Sequence, residues 1–208
     1  MRAIWEHAYC VACPEHEVLL LDTCDGCGQP LKNTRDHIEL CECGRRISDM
    51  KAAGASPAQL WLSSLLVTQG RSSGLWTPAV RNTSVDMLVE LVRGLCILHD
   101  PHVAPPRMNS AVPRSVAESI SLLAPLDALL ADWPRGFEAH VSARIAAGTP
   151  EARTLNTLLG RWYLRLTAVA TNNELSPFLE AVARVAAAEF TGVIGLDRGA
   201  PVLLEHAT

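Results

Sequence analysis

The chain has 208 residues, of which 49% are hydrophobic and 5% are aromatic. This length and apolar content provide for a sizeable core and exclude a globally disordered chain. The formal net charge of −4, without any basic block, excludes a protein that binds nucleic acid mainly through concentrated positive charge. No signal-peptide pattern and no apolar run of membrane-spanning length is visible, so we expect a cytoplasmic protein whose thiols stay reduced.

The beginning of the chain is rich in cysteine, with six of the seven cysteines at or before residue 43. Two residues separate Cys24 from Cys27, one residue separates Cys41 from Cys43, and a glycine follows each pair. Two such pairs can place four thiolates at the corners of a tetrahedron around Zn²⁺, and the glycines allow the tight turns this needs. The spacing therefore predicts a zinc site held by Cys24, Cys27, Cys41 and Cys43. The alternatives are a redox Cys-x-x-Cys, which would need a following helix rather than the turn-like "GQPLKN", and four buried free thiols.

A second pair of metal-binding residue types precedes this site. Cys13 and His16 stand three residues apart, and His7 and Cys10 repeat the same interval. Four ligands from one ten-residue segment are geometrically awkward, because two pairs need an intervening fold to meet at an angle. We therefore predict a partial second zinc site at Cys13 and His16, to which Cys10 could contribute. An incomplete site that holds no metal is the alternative.

Two arginines directly follow the "CECG" segment. A metal-pinned turn would hold the guanidinium groups of Arg45 and Arg46 near one surface, so we consider them candidate contacts with DNA phosphates or with a partner. The alternative is a solvated pair that offsets the charges of Glu39 and Glu42. Because no other positive charge is concentrated, we expect the chain alone to bind DNA weakly.

From residue 51 onward the pattern is helical. Ser56, Thr83 and Ser115 each precede a Gln, Asp or Glu by three residues, which is typical of a capping box at a helix start. The predicted helices cover about 57–68, "SVDMLVELVRGLCILHD", "SVAESISLLA" with a break or kink at Pro125, both sides of a Trp133-Pro134 corner, "PEARTLNTLLGRWYLRLTAVA", and Ser176 to about Phe190. The segment 69–78 is predicted to be a loop and 100–114 a linker or long loop, and 191–208 is predicted to consist of short segments separated by glycines.

These elements predict a mainly α protein. Residues 1–50 are expected to form a small zinc-ribbon or knuckle module with short β-strands and turns, and residues 51–208 an all-helical domain. "RRISDMKAAGASP" is expected to connect them, and metal binding to supply the folding energy of residues 10–47. Cys96 and Trp162 are expected in the core. Three histidines lack a spaced partner and are expected in loops or on the surface: His99, His102 and His140.

Known catalytic motifs are absent from the sequence. It contains no phosphate-binding Gly-rich loop, no Gly-x-Ser-x-Gly elbow and no His-Glu-x-x-His helix. The sequence therefore predicts a protein that is not an enzyme.

The run from Trp5 to Gly44 resembles the TniQ (TnsD) family of transposition proteins. In that family a Trp precedes a Cys-Pro-x-His, a Leu-rich stretch with Cys-x-x-Cys-Gly, and a later Cys-x-Cys-Gly. Here Trp5 precedes "CPEH", "VLLLDTCDGCGQPL" and "CECG". "LLADWPRGFEAHV", with Trp133-Pro134 and Gly136-Phe137, is similar to a second family motif, Asp-Trp-Pro-x-Gly-Phe. The resemblance covers about residues 5–165.

The resemblance implies a non-catalytic accessory protein of DNA transposition. Such a protein helps to select the target site by linking DNA or a DNA-bound complex to an AAA+ ATPase and, through it, to the transposase. In the family a further Cys-x-x-Cys before the Trp completes the Cys13 and His16 site; this chain lacks it, which predicts a short or truncated member. Two alternatives stay open: a zinc-ribbon nucleic-acid-binding regulator with a helical dimerisation domain, and a decayed mobile-element fragment.

Overall fold

The computed structural model describes residues 7–32, 37–68, 84–97, 113–148, 151–170 and 176–190. As the composition predicts, these residues are mainly helical. The helices are α1 (Pro57–Val67), α2 (Val85–Ile97), α3 (Val116–Leu130), α4 (Arg135–Ala147), α5 (Leu155–Ala170) and α6 (Ser176–Glu189), and one 3-10 turn covers Ile47–Asp49. Within the described ranges, the helices lack the combination of length and apolar character that crossing a membrane requires.

A two-stranded hairpin opens the described chain. Strand β1 (Ala12–Cys13) pairs antiparallel with β2 (Val18–Leu19), so that Ala12 faces Leu19. The segment expected to be a connector returns to this hairpin, because the Leu19 N–H donates to the Ala53 carbonyl at 2.8 Å and Val18 forms a bridge with Gly54. The small side chains of this segment allow its backbone to approach β2 closely. The segment therefore pairs with β2 along its backbone and is not a free linker.

Helices α1 and α3 begin at the predicted caps. The Gln59 N–H donates to Ser56 Oγ at 3.3 Å, and the Ser56 N–H donates to Gln59 Oε1 at 2.8 Å, which completes a capping box. At the start of α3 the Glu118 N–H donates to Ser115 Oγ at 3.1 Å. Each cap satisfies a backbone N–H that has no acceptor inside its own helix.

Helix α2 begins one residue later than a cap at Thr83 would require. The Met87 N–H donates to Ser84 Oγ at 3.3 Å, so Ser84 caps the helix, and Thr83 lies outside the described residues. Cys96 lies on the apolar face of α2 with 6% of its surface exposed, which confirms the core assignment. Burial raises the pKa of the Cys96 thiol to about 12.

Helix α3 runs through Pro125, so the predicted break there is wrong, and the kink offered beside it stays a prediction. A proline inside a helix removes the hydrogen bond to the carbonyl four residues earlier. That carbonyl belongs to Ser121, an exposed residue whose carbonyl water can reach. Buried leucines on the opposite face, among them Leu123 and Leu126, hold the helix in place on both sides of the proline.

One large hydrophobic cluster joins all six helices and also takes in Tyr9, Cys10 and Val11. Polar contacts strengthen this connection: the Ala12 N–H donates to Ser63 Oγ on α1 at 3.1 Å, and Ser119 Oγ on α3 donates to the Ala8 carbonyl at 2.6 Å. The first described residues therefore pack with the helices, although they precede the boundary predicted at residue 50.

A second, much smaller hydrophobic cluster lies beside the predicted zinc site. It consists of Cys24, Cys41 and Met50, with Leu31 and Ile47 packed against it. Its two buried cysteines are predicted metal ligands. This part of the chain therefore has little apolar core of its own.

The predicted Trp-Pro corner connects α3 to α4 and is built of packed aromatic rings. Phe137 is fully buried, with its ring centroid 5.8 Å from that of Trp162 and 5.2 Å from that of Phe178. A Cβ atom at Gly136 would collide with the carbonyl oxygens of Ala131 and Ala128, so this position accepts only glycine. The burial of Trp162, 2% exposed, confirms its assignment to the core.

His140 lies on α4, so it is not in a loop, and it is partly exposed at the surface. Its side chain is half-buried, and its Nε2 accepts a hydrogen bond from Arg144 Nε at 2.9 Å. The Arg144 guanidinium lies over the Trp162 ring, 4.8 Å from its centroid. The histidine thus has an aromatic and cationic environment that comes from helix packing.

Helix α5 contains a local break at Gly160, where φ is +60°. This left-handed backbone conformation favours glycine. Several predictions fall outside the described residues: the loop at 69–78, the short segments at 191–208, all but the last two residues of the linker or loop at 100–114, and the placement of His99 and His102.

Candidate metal centre

The first cysteine pair lies in a tight turn. The Cys24 N–H donates to the Gln29 carbonyl at 2.9 Å, and the Gly28 N–H donates back to the Cys24 carbonyl at 2.9 Å. Gly28 has a φ of +70°, a conformation that other residues adopt at a cost. The Gly26 N–H also points at Cys24 Sγ, 3.4 Å away. The turn therefore presents both sulfur atoms on one side and aims a backbone donor at one of them.

The second cysteine pair repeats this arrangement. The Cys41 N–H donates to the Arg45 carbonyl at 2.9 Å, and the Gly44 N–H donates to the Cys41 carbonyl at 2.8 Å. Gly44 has a φ of +86°. The glycine after each cysteine pair, visible in the sequence, thus has the backbone role that the spacing predicted.

The two turns face each other and bring the four sulfur atoms together. Cys24 Sγ lies 3.8 Å from Cys43 Sγ, and Cys27 Sγ lies 3.6 Å from Cys41 Sγ. All four sulfur atoms lie within 4.8 Å of one another. Ligands about 2.3 Å from a zinc ion at the centre of a tetrahedron are about 3.8 Å apart. The four cysteines therefore lie close enough to hold one metal ion.

The donor set indicates what such an ion would do. Four thiolate ligands suit zinc or iron and leave no position for water or substrate, which is the mark of a structural site. Cys24 and Cys41 are buried, whereas Cys27 and Cys43 are exposed. One side of the site therefore packs against the small cluster and the other side faces solvent.

The four thiols influence one another's pKa values. Burial raises the pKa of Cys24, but hydrogen bonds from the backbone N–H groups of Cys27 and Gly26 and from the side chains of Cys41 and Cys27 lower it to about 7. Hydrogen bonds with the neighbouring thiols raise the pKa of Cys27 to about 12. Because metals bind the deprotonated sulfur, metal binding at this site would release protons.

The second predicted site is only partly assembled. Cys13 Sγ lies 3.2 Å from His16 Nδ1, so the hairpin β1–β2 brings these two side chains together. Cys10 belongs instead to the hydrophobic cluster of the helices, where burial raises its pKa. In the described part of the chain, one set of three or more His, Cys, Asp or Glu residues has all its ligand atoms within 4.8 Å of one another. Cys24, Cys27, Cys41 and Cys43 form this set. Cys10, Cys13 and His16 do not form such a set.

Arg45 is held by an acidic partner that the sequence analysis did not name. Its Nε and Nη2 lie 3.0 and 3.2 Å from the two carboxylate oxygens of Asp25, and Nη2 also donates to the Asp49 carbonyl. Arg45 therefore pairs with Asp25 and does not offset the charge of Glu39 or Glu42, as the alternative interpretation held. Glu42 instead pairs with Lys32 at 3.5 Å. Because Asp25 lies between Cys24 and Cys27, this ion pair connects the two cysteine turns.

Arg46 is exposed and precedes the 3-10 turn. Within the described ranges it has no acidic partner at ion-pair distance. The two candidate arginines therefore differ: one is occupied inside the module and the other faces solvent.

Comparisons of the chain with protein-family models, with curated proteins and with solved structures find no match.

Proposed function

We propose that this chain is a TniQ-like, non-catalytic accessory protein of DNA transposition. In this proposal Zn²⁺ bound by Cys24, Cys27, Cys41 and Cys43 stabilises the cysteine-rich module. The protein helps to select the insertion site by linking DNA, or a complex bound to DNA, to an AAA+ ATPase and through it to the transposase. The motif resemblance supplies the role in transposition, and the cysteine geometry supports the metal.

The observation that carries the zinc assignment is the distance between the sulfur atoms of the two turns. The separations of 3.6 and 3.8 Å match the edges of a tetrahedron around zinc, and every cysteine in the described residues is free of disulfide bonds. We choose zinc because a closed tetrahedron of four thiolates is a common structural zinc site in reduced compartments, and elemental analysis distinguishes it from iron.

The charge of the module favours an adaptor over a reader of DNA. Residues 1–55 carry 6 basic and 9 acidic side chains, which sum to −3. Four thiolates and one Zn²⁺ add a further −2, giving −5. Phosphate binding needs free positive charge, and here Arg45 is already paired with Asp25. These features support contact with protein partners more than direct DNA binding by a zinc-ribbon regulator.

A target-directed insertion assay with the transposase and AAA+ ATPase of the same mobile element tests the proposal. The double variant Cys24→Ser with Cys41→Ser removes one ligand from each turn. We expect loss of the bound zinc, measured by elemental analysis after purification without chelators, and loss of insertion at the selected site. The unaltered chain is expected to hold one tightly bound zinc.

Cys96→Ala is the matched control, since it removes a cysteine from the helical core and leaves the metal ligands intact. It should retain zinc and insertion. An unaltered zinc content in the double variant would contradict the ligand assignment. Insertion that is independent of the chain altogether would contradict the role in transposition, and would favour the decayed fragment.

A further inference from the structure

We propose that Asp22 couples metal binding at the four cysteines to the N-terminus of α3, so that this helix is fully capped only when the metal is bound. The inference rests on the zinc site of the proposed function and not on its role in transposition. It makes Asp22 a positioning residue between two parts of the chain that are far apart in sequence.

The Asp22 carboxylate contacts the first turn of α3 across a separation of 94 residues. Its Oδ2 accepts a hydrogen bond from the Val116 N–H at 2.6 Å. Val116 is the first residue of α3, so its N–H has no acceptor within the helix. A carboxylate at this end of a helix also interacts favourably with the helix dipole. Ser115 accepts from a different donor, the Glu118 N–H, so the two residues cap the helix together.

The backbone of Asp22 belongs to the turn that carries the first cysteine pair. The Leu31 N–H donates to the Asp22 carbonyl at 2.7 Å, and Thr23 forms the next bridge, with Pro30. The following pair in this short ladder is the hydrogen bond from the Cys24 N–H to the Gln29 carbonyl. The position of Asp22 is therefore set by the same ladder that presents Cys24 and Cys27.

This ladder depends on the metal for its stability. The apolar cluster beside it has three buried residues, and two of them are the ligands Cys24 and Cys41. So small a core cannot offset the conformational entropy of the segment, and metal binding supplies that free energy. When the metal leaves, the ladder opens, and the Asp22 carboxylate is no longer held at Val116.

The consequence for α3 is local. Its later residues stay anchored by Leu123 and Leu126 in the large cluster, and Asp127 keeps its own contact, since its Oδ1 accepts from the Ala58 N–H of α1 at 2.9 Å. Metal loss should therefore loosen the first turn of α3 and leave the body of the helix intact. Whether the cysteine site holds a metal therefore changes the stability of the first turn of α3.

Amide hydrogen exchange measured by NMR on the full chain tests this coupling. In the unaltered protein, chelation of zinc should accelerate exchange at Val116 by about fivefold or more, the effect of losing one helix cap. Asp22→Ala should produce the same acceleration with zinc still bound, and chelation should then add nothing further. Because coupling is reciprocal, Asp22→Ala should also weaken zinc affinity by about fivefold.

Glu42→Gln is the matched control, because it removes one negative charge from the module at a residue paired with Lys32. It should leave exchange at Val116 unchanged while zinc is bound. Asp22→Asn keeps an oxygen acceptor without the charge and should give intermediate exchange, which preserves the test if the alanine variant does not fold.

Two results would overturn the inference: unchanged exchange at Val116 after chelation of the unaltered protein, or an equal acceleration by chelation in Asp22→Ala. Elemental analysis of the same samples separates this failure from failure of the zinc site. If the chain holds no zinc, the zinc assignment and the coupling are both wrong; if zinc is bound and Val116 does not respond, only the coupling is wrong.

Discussion

The helical part and the cysteine-rich part of this chain maintain their structure in different ways. In the described ranges, 28 buried residues form the large hydrophobic cluster, whereas 3 form the cluster beside the metal site. Burying one large apolar side chain contributes about 1.5–3 kcal/mol. The first cluster can therefore offset the entropy of ordering its helices, whereas the second is too small to do so for its turns, and a bound metal would supply the missing free energy.

The difference also shows where the two parts meet. Tyr9, Cys10 and Val11 pack with the helices although they precede the metal ligands. Within the described ranges, the residues around the four cysteines lie between Asp22 and Met50 and form the two cysteine turns and the 3-10 turn. Position along the sequence therefore does not decide which residues share a core; the side chains that pack together do.

Metal removal should give the largest effect and separate the two parts most clearly. We expect chelation to abolish hydrogen-exchange protection in residues 22–50, because apparent metal-binding free energies of about 10–16 kcal/mol are folding free energy in modules of this kind. The helical circular dichroism signal should change little. A single cooperative collapse of the whole chain would contradict the comparison, since it would mean that both parts share one core.

Phe137→Ala should weaken the helical part and spare the metal site. Truncation of this fully buried ring leaves a cavity beside Trp162 and Phe178, and we expect a loss of about 3–5 kcal/mol in the free energy of unfolding. Denaturant titration followed by circular dichroism measures it. Leu164→Ala on α5, at a side chain that is 49% exposed, is the control and should change stability little. Release of zinc from folded Phe137→Ala protein would show that the two parts are less independent than their cores indicate.

Arg45→Ala should have the smallest effect and concerns the contact between the two cysteine turns. The variant removes the ion pair with Asp25, in which both side chains are more than 40% exposed. Exposed ion pairs contribute little and are screened by salt. We expect zinc to be retained, with a slightly faster loss to a chelator at low salt and no difference at high salt. Arg46→Ala is the control, and a large loss of zinc in either variant would contradict this account.

Local signals in the sequence were sufficient for the starts of α1 and α3 and for the cysteine turns. Ser56 and Ser115 each accept a hydrogen bond from the N–H three residues later, which lies within the same helical turn. The glycine after each cysteine pair adopts a positive φ within a single tight turn. Such interactions connect residues that are already neighbours in the chain, so their geometry follows from spacing alone.

Other features could not be predicted because they depend on what packs nearby. The sequence indicated a break or kink at Pro125, but the buried leucines of α3, which pack against other helices, keep this helix continuous. The sequence also assigned His140 to a loop or the surface, and it could not show that the ring of Trp162 from another helix lies beside it. In both cases the deciding contacts involve residues of another helix.

The sequence by itself determined the mainly helical character, the two cysteine turns and the ligand set that lies within reach of one metal ion. Only the tertiary structure decided that Arg45 pairs with Asp25, that Cys10 belongs to the helical core, and that Asp22 reaches the N–H of Val116. Spacing controls short-range geometry because the backbone has few conformations between near neighbours. Contacts across tens of residues form only when hydrophobic burial has brought the elements together, and residue order alone does not specify which pairs then meet.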